Sequence, residues 1–367
     1  MEAIENVVIV GAGIAGLATS LGLHRLGIRS LVLESSASLR VSGFALATWK
    51  NAWRALDAVG IGDSLRQQHE QLDGLVATST VSGQPGAQLS FKGKGTHGDH
   101  EVRCVKRKLM LEALEKELPI GTIRYSSKVV SVEDSGCFKL VHLVDGTTIK
   151  TKVLIGCDGV NSLGSFPCDD TTIYWFFTWT PSDQDNKELK DNPAKMKQFV
   201  LSNLGNVPDQ VRSFVEITEL DCFISSPLRY RHPWEVLWGN ISKGNACVAG
   251  DALHPMTPDI GQGGCAALED GVVLARCLAE ALNKKVSAET KDREKEEYKR
   301  IEMGLKKYAK ERRWRSFELI STSYVVGVVQ QSQGKIMNFL RDAIMVKFLA
   351  KLLLRKADFD CGKLHIS

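Results

Sequence analysis

The stretch NVVIVGAGIAG, residues 6 to 16, constrains this chain more than any other. Residues 6 to 10 form a near-continuous apolar run, the pattern of a parallel strand buried on both faces. Gly11, Gly13 and Gly16 then satisfy G-x-G-x-x-G and open a helical stretch with Leu17, Leu21, Leu23 and Leu26, which stops at Gly27. A second strand, SLVLE, closes on Glu34. This is the layout of a βαβ unit with a tight glycine turn. The first glycine permits the turn, the second lets the backbone approach a pyrophosphate, and the third lets helix and strand pack closely. Free amides and a partial positive charge at the helix N-terminus favour the phosphates. Glu34 is placed to accept hydrogen bonds from ribose hydroxyls, and its charge disfavours a 2′-phosphate.

A second motif selects the dinucleotide. NACVA reads as a strand and delivers GDALHPMTPDIGQGG, Gly250 to Gly264, ahead of the helical CAALEDGVVLARCLAEAL. Asp251, just past a strand end, suits a polyol chain. Gly261, Gly263 and Gly264 let a helix begin against a flat ring, with its N-terminal amides toward an electron-rich edge. NAD has no ribityl chain to occupy such a place, whereas FAD does. Between the two motifs, the apolar KVLI ends in the turn Gly156-Cys157-Asp158-Gly159.

At 367 residues the chain is long for a single core, so two domains are expected. Apolar content of 43% and charged content of 25% suit a globular protein, and a net charge of +4 makes no case for nucleic acid. Nine cysteines without a C-x-x-C pair read as reduced thiols, and a zinc site is not expected. No basic-then-apolar leader and no apolar span are visible, so a cytoplasmic location is expected. LDGLVATSTV and AQLSF read as a hairpin about SGQPG, KRKLMLEALEKEL as a helix, and TTIYWFFTWT, residues 171 to 180, as an aromatic strand. The charged block from Lys284 to Arg315 reads as a solvated helix face. Residues 336 to 356 read as an amphipathic cap helix rather than one lying on a membrane.

Three stretches in order, VVIVGAGIAGLATSLGLHRLGI with Glu34, GCDGVNS, and GDALHPMTPDIGQGGCAALEDGVVLARCL, carry a family resemblance. The chain resembles the single-component FAD-dependent aromatic hydroxylases of the salicylate hydroxylase and zeaxanthin epoxidase kind, and within them a plant monooxygenase group. FKGKGTHGDHEVRCVKRKL and YAKERRWRS are similar to that group as well. The resemblance implies a Rossmann-like α/β fold of the glutathione-reductase type. The FAD-binding domain would comprise residues 1–72, 100–162 and 245–330. A mixed or antiparallel-sheet substrate domain would comprise 73–99 and 163–244, with a helical cap at 331–367.

By the same resemblance, Gly11, Gly13, Gly16 and Glu34 would hold the ADP portion of FAD. Arg107 in KRKL, with Arg103 as a second candidate, would help hold the cofactor. Asp158 would contact both FAD and NAD(P)H. Gly250 and Asp251 would bind the ribityl chain, and Pro255, Gly261, Gly263 and Gly264 would line the isoalloxazine ring. The implied reaction is an NAD(P)H-consuming insertion of one oxygen atom from O2, through a flavin C4a-hydroperoxide, into a small aromatic or isoprenoid-like substrate. No side-chain nucleophile or general base is required, and none is assigned; His97, His100 and His232 read as structural.

One place departs from the pattern. The Asp-Gly signature of the family continues past Ser162 to an Arg and into sheet strands, but here Leu163-Gly164-Ser165-Phe166-Pro167 follows. The substrate domain thus reads as shortened, with its first strands missing. Two alternatives therefore stand beside a coupled monooxygenase: an FAD-binding form with impaired or uncoupled catalysis, and an FAD-dependent reductase without oxygen insertion.

Overall fold

The computed structural model describes residues 4–40, 45–78, 85–96, 98–157, 166–169, 172–175, 177, 189, 192–204, 207–225, 230–283, 290–331 and 346–364. The chain begins with β1 (Glu5–Val10), α1 (Ile14–Arg25) and β2 (Leu31–Leu33), the expected βαβ unit. Next come β3 (Ala45–Trp49), α2 (Lys50–Ala58) and α3 (Gly62–Arg66). β4 (Gly74–Thr78) and β5 (Pro85–Ser90) pair as the expected hairpin, and β6 (Lys94–Gly95) pairs with β7 (Gly98–Asp99). β8 (Val102–Lys106) runs antiparallel to β3 and leads into α4 (Arg107–Lys116). Then follow β9 (Ile123–Arg124), β10 (Val129–Ser135), β11 (Phe138–Leu143) and β12 (Thr148–Gly156).

The short hairpin β13 (Phe166–Asp169) and β14 (Thr172–Tyr174) comes after it. α5 (Pro193–Asn203), α6 (Asp209–Ile217) and α7 (Pro233–Trp238) precede β15 (Ser242–Lys243) and β16 (Ala246–Val248). Three helices end the described chain: α8 (Gly263–Leu282), α9 (Thr290–Gln331) and α10 (Val346–Lys356).

Among the described residues, the main sheet has eight strands. β1 lies between β2 and β12 and pairs with both in parallel, Val8 opposite Leu31 on one side and Leu154 on the other. That position explains its apolar run: Val7, Val8 and Ile9 are buried. β12 is long enough to serve three partners. It pairs with β1 along one edge, and along the other with β11 through its first half and β16 through its end. The strand ends of β1, β12 and β16 are thereby brought side by side. The helices α1 and α8 pack closely because Gly22 and Gly271 face small partners; a Cβ on Gly271 would lie 2.7 Å from that of Ala18.

Two expectations are corrected. The aromatic strand ends at Tyr174, because its antiparallel partner β13 is only four residues long. Trp175 and Phe177 instead meet Phe223 and Phe199 edge-on, at 5.3 and 6.4 Å between ring centroids. They join a small core of Val200, Leu204 and Val215, separate from the large core around α1 and α8. Residues 176 and 178–180 lie outside the described residues.

The charged block forms the first half of α9, but it is not uniformly solvated. Arg312 and Arg315 are buried, drawn in by the carboxylates of Glu269 and Asp270 on α8. At the C-terminus, Leu353, Ala357 and Cys361 are buried in the large core, while residues 336–345 of the expected cap helix lie outside the described residues. Among the described residues, no helix is long and apolar enough to cross a membrane. None of the nine cysteines is joined in a disulfide.

Candidate active site

The glycine turn is built by backbone geometry. Gly11 has a φ of 104°, open to glycine and strained for other residues, and its N–H donates to the Leu33 carbonyl at 2.8 Å. A Cβ at Gly16 would stand 2.0 Å from the Gly11 carbonyl oxygen, so this glycine is what lets α1 start against the turn. A Cβ at Gly13 would meet nothing within 4 Å, so the turn opens outward there. At the end of β2 the buried Glu34 carboxylate accepts from the Ala12 N–H and the Ser36 N–H, both at 2.9 Å. Burial pushes its pKa up, but these two donors and Arg40, 3.4 Å away, outweigh burial and hold it below the usual range. It is therefore ionised across the neutral range.

The second wall comes from the end of β16. Gly250 has a φ of 61°, and a Cβ there would come within 2.6 Å of Ala15, so this turn presses directly on the start of α1. Asp251 follows, half-buried, in a single 3-10 turn. Arg107, the first residue of α4, donates to the Arg40 carbonyl. Burial and the neighbouring Arg40 lower its pKa, while Asp251 and Glu34 oppose that shift. The glycine turn, Glu34, Arg107 and Asp251 thus converge from four separate elements.

Further along, Gly261 has a φ of 59°, and a Cβ there would lie 3.3 Å from Trp49 Nε1. Gly264 would carry its Cβ 3.2 Å from Leu46. The start of α8 and β3 therefore enclose a narrow cleft lined by Leu46, Ala47, Gly261, Gly264 and Cys265. Gly263 begins α8, and Pro255 is held through its carbonyl by the Arg231 N–H at 3.0 Å.

Two sequence candidates stand apart. The Arg103 guanidinium donates to Glu101 at 2.8 Å and to the carbonyls of Arg66 and His69, and it lies over the Trp53 ring. Those contacts tie β8 to the α3 region rather than to Arg107 and Glu34. Asp158 lies outside the described residues, as does His97. The chain leading to Asp158 is described: the Cys157 N–H donates to Val10 O at 2.8 Å, beside the glycine turn.

The buried polar network behind the site was not anticipated. Asp270 Oδ2 accepts from the Gly250 N–H and pairs with His254 Nε2, both at 2.7 Å, while Asp270 Oδ1 meets Arg312 Nε at 2.5 Å. Glu269 meets Arg312 and Arg315 at 2.7 Å and accepts from Asn51 Nδ2 at 2.6 Å. Burial raises the Glu269 pKa, but Arg315 and Arg312 overcome it and bring the value down to about 2. Asp270 is likewise lowered, against burial, by Arg312 and His254. The signal was available: Glu269-Asp270 interrupts the apolar first half of the helix, and buried carboxylates demand cations.

The residues fit a bound flavin dinucleotide on two observations. The outward side of Gly13 is free for a phosphate to approach the backbone. Trp49 Nε1, beside Gly261, is a buried donor with no acceptor among the described residues, as suits the polar edge of a ring.

A mixed sheet with a parallel centre, this glycine turn, a buried carboxylate at the end of β2 and a second Gly-Asp turn form the framework of a dinucleotide-binding flavoprotein. The chain belongs to the family described as an FAD binding domain, which matches residues 5–165 and 164–307. It is 49% identical to Monooxygenase 2 of Arabidopsis thaliana, over 99% of each chain, and 34% identical to Monooxygenase 1 of that plant, over 98% of this chain and 99% of the relative. It is similar in fold to HpxO of Klebsiella pneumoniae, solved with FAD and uric acid, at a TM-score of 0.75, 18% identity and 98% coverage of each chain. The chain is an FAD-dependent monooxygenase of the hydroxylase family. The alignment to Monooxygenase 2 spans 408 positions against 367 residues here, so that relative carries residues this chain lacks. The two family matches meet at residues 164–165, within the Leu163–Ser165 junction where the pattern departs.

Proposed function

We propose that this protein consumes NAD(P)H and inserts one oxygen atom from O2 into a small aromatic or isoprenoid-like substrate. The observation that carries the reading is the convergence of Glu34, Arg107 and Asp251 on the glycine turn. In this reading Glu34 accepts from the ribose hydroxyls, and amides at the start of α1, past Gly11, Gly13 and Gly16, face the pyrophosphate. Arg107 offers a cation, Gly250 and Asp251 receive the ribityl chain, and Asp158 contacts FAD and NAD(P)H. Pro255, Gly261, Gly263 and Gly264 border the ring. Bound FAD supplies the redox and oxygen chemistry; the protein supplies position and shielding from water.

The reading includes a division of the chain. Residues 1–72, 100–162 and 245–330 form the FAD-binding domain, 73–99 and 163–244 the substrate domain, and 331–367 the cap. The separate core of Val200, Leu204 and Val215 supports it. The uric acid in HpxO, a small ring compound, supports the substrate class.

A second reading keeps FAD binding but loses coupling, so that reduced flavin yields peroxide instead of product. The seam at residues 164–165 favours it, because strands missing from the substrate domain would leave its wall incomplete. One experiment separates the two. Purified, FAD-loaded protein is given NAD(P)H, mass-labelled O2 and candidate aromatic or isoprenoid substrates. Label in the product with little peroxide supports the coupled reaction. NAD(P)H consumption matched by peroxide with unlabelled substrate supports the uncoupled one, and no NAD(P)H consumption defeats both.

A further inference from the structure

The hairpin β13–β14 begins immediately after the seam, and it is held to the FAD-side strands by two side-chain contacts. Cys104 Sγ on β8 touches Cys168 Sγ on β13 at 3.5 Å, and Lys106 Nζ on β8 reaches Thr172 Oγ1 on β14 at 3.4 Å. Both thiols are buried in a small cluster with Ala45 and partly buried Tyr174. Cys104 and Lys106 are two residues apart on one strand and therefore share a face, so the ammonium lies on the same side as the thiol. The two cysteines are 64 positions apart, and the whole β9–β12 portion of the chain lies between them.

We propose that Cys104 and Cys168 form an oxidative cross-link site, closed to a disulfide by hydrogen peroxide and reopened by thiols. The two sulfurs are at van der Waals contact, and bonding requires an approach of about 1.5 Å to reach the disulfide length. Among the described residues, Cys168 lies on a four-residue strand whose strand partner is the three-residue β14, the kind of element that can move by this much. In the reaction, one thiol loses its proton and its sulfur attacks a peroxide oxygen. The O–O bond breaks, one water leaves and a sulfenic acid remains. The second sulfur then attacks the first, the S–O bond breaks, and a second water leaves as the S–S bond forms. Two sulfurs are oxidised by two electrons in total, and one peroxide is reduced to two waters.

The cross-link would be positioned to report on the flavin cleft. Cys104 stands opposite Ala47 in the β3–β8 pair, and Ala47 lines that cleft and accepts from Cys265 Sγ at 3.5 Å. An oxidised pair pins the seam hairpin to the strand beside the cofactor. The source of peroxide in the cell rests on the uncoupled reading above, but the cross-link chemistry does not.

The test therefore uses added peroxide on the reduced full chain. After exposure to hydrogen peroxide and alkylation of remaining thiols, the intact mass is measured and a non-reducing chymotryptic map is run. Cleavage after Leu163 separates Cys157 from Cys168, since the Phe166–Pro167 bond resists the protease. The expected result is an intact mass carrying two fewer alkyl groups than the reduced control, a peptide pair joining Cys104 to Cys168, and reversal by dithiothreitol. Oxidation should also raise the thermal midpoint by several degrees, and Cys104→Ser and Cys168→Ser should each abolish both changes. Bridges through other cysteines, or oxidation confined to the exposed Cys222, would overturn the proposal. Because peroxide is supplied from outside, a protein that fails to consume NAD(P)H leaves this test intact.

Discussion

A methyl group added at Gly16 would sit 2.0 Å from the Gly11 carbonyl oxygen, whereas one added at Gly13 would touch nothing within 4 Å. The two substitutions should therefore fail in different ways. Gly16→Ala strains the fold itself and should lower stability by about 1–3 kcal/mol or more, read by denaturant unfolding of the apoprotein. Gly13→Ala should leave apoprotein stability within about 0.5 kcal/mol, yet weaken FAD binding at least about tenfold in a fluorescence titration. Equal losses of stability from both would refute the idea that Gly13 faces the cofactor.

Arg312 makes a complementary prediction. Removing it as Arg312→Met leaves Glu269 with Arg315 alone and Asp270 with His254, and should cost about 3–5 kcal/mol. The carboxylate pKa values also give a pH dependence. The folded value of Glu269, about 2, lies below the ordinary value of 4.5. Its contribution to stability is thus present in full above pH 4.5 and drains away as pH falls toward 2. Stability curves of the wild type should decline across that window, and Glu269→Gln should flatten the decline.

At the level of elements, local signals were legible and distant ones were not. β1, the glycine turn and α1 could be read because a buried strand and a tight turn impose their residue types within sixteen positions. Arg312 and Arg315 could not, because a charged run looks the same from sequence whether it faces water or a carboxylate on another helix. Only Glu269-Asp270, more than forty positions earlier, hinted at the partner. The aromatic strand was overextended for a related reason: strand length depends on the partner β13, which lies at a distance the local pattern does not encode.

The C-terminal cap is the element whose removal is easiest to interpret. Ala357 O accepts from Asn51 N at 3.0 Å, Lys356 O from Arg315 at 2.8 Å, and Asp358 pairs with Lys50 at 3.0 Å. Phe359 lies 4.6 Å beneath the Arg315 guanidinium. Deleting residues 346–364 should lower the thermal midpoint by about 5 °C or more, since each lost kcal/mol is worth about 2–4 °C in a domain of some 150–250 residues. An unchanged midpoint in calorimetry would show that the segment only rests on the surface.

For the molecule as a whole, the FAD-side core is continuous from α1 through α8 to the cap, while the residues around Val200, Leu204 and Val215 form a core of their own. Unfolding should reflect that split. FAD should raise the midpoint of the main transition, by mass action on the folded state, and leave a smaller early transition unmoved. A single transition that shifts as one with FAD would show that the two cores are cooperative.

The pairing of Asp270 with Arg312 also has a consequence in time. The two residues are 42 positions apart, and a ribosome adding about 5–20 residues per second needs roughly 2–8 s to supply the arginine after the aspartate. Throughout that interval the newborn α8 carries two carboxylates without their arginines in its buried face. Burying it against α1 would be costly until its counterions emerge. The nucleotide turn, although made near the very start of the chain, therefore awaits the late arrival of α9 before its supporting wall can close.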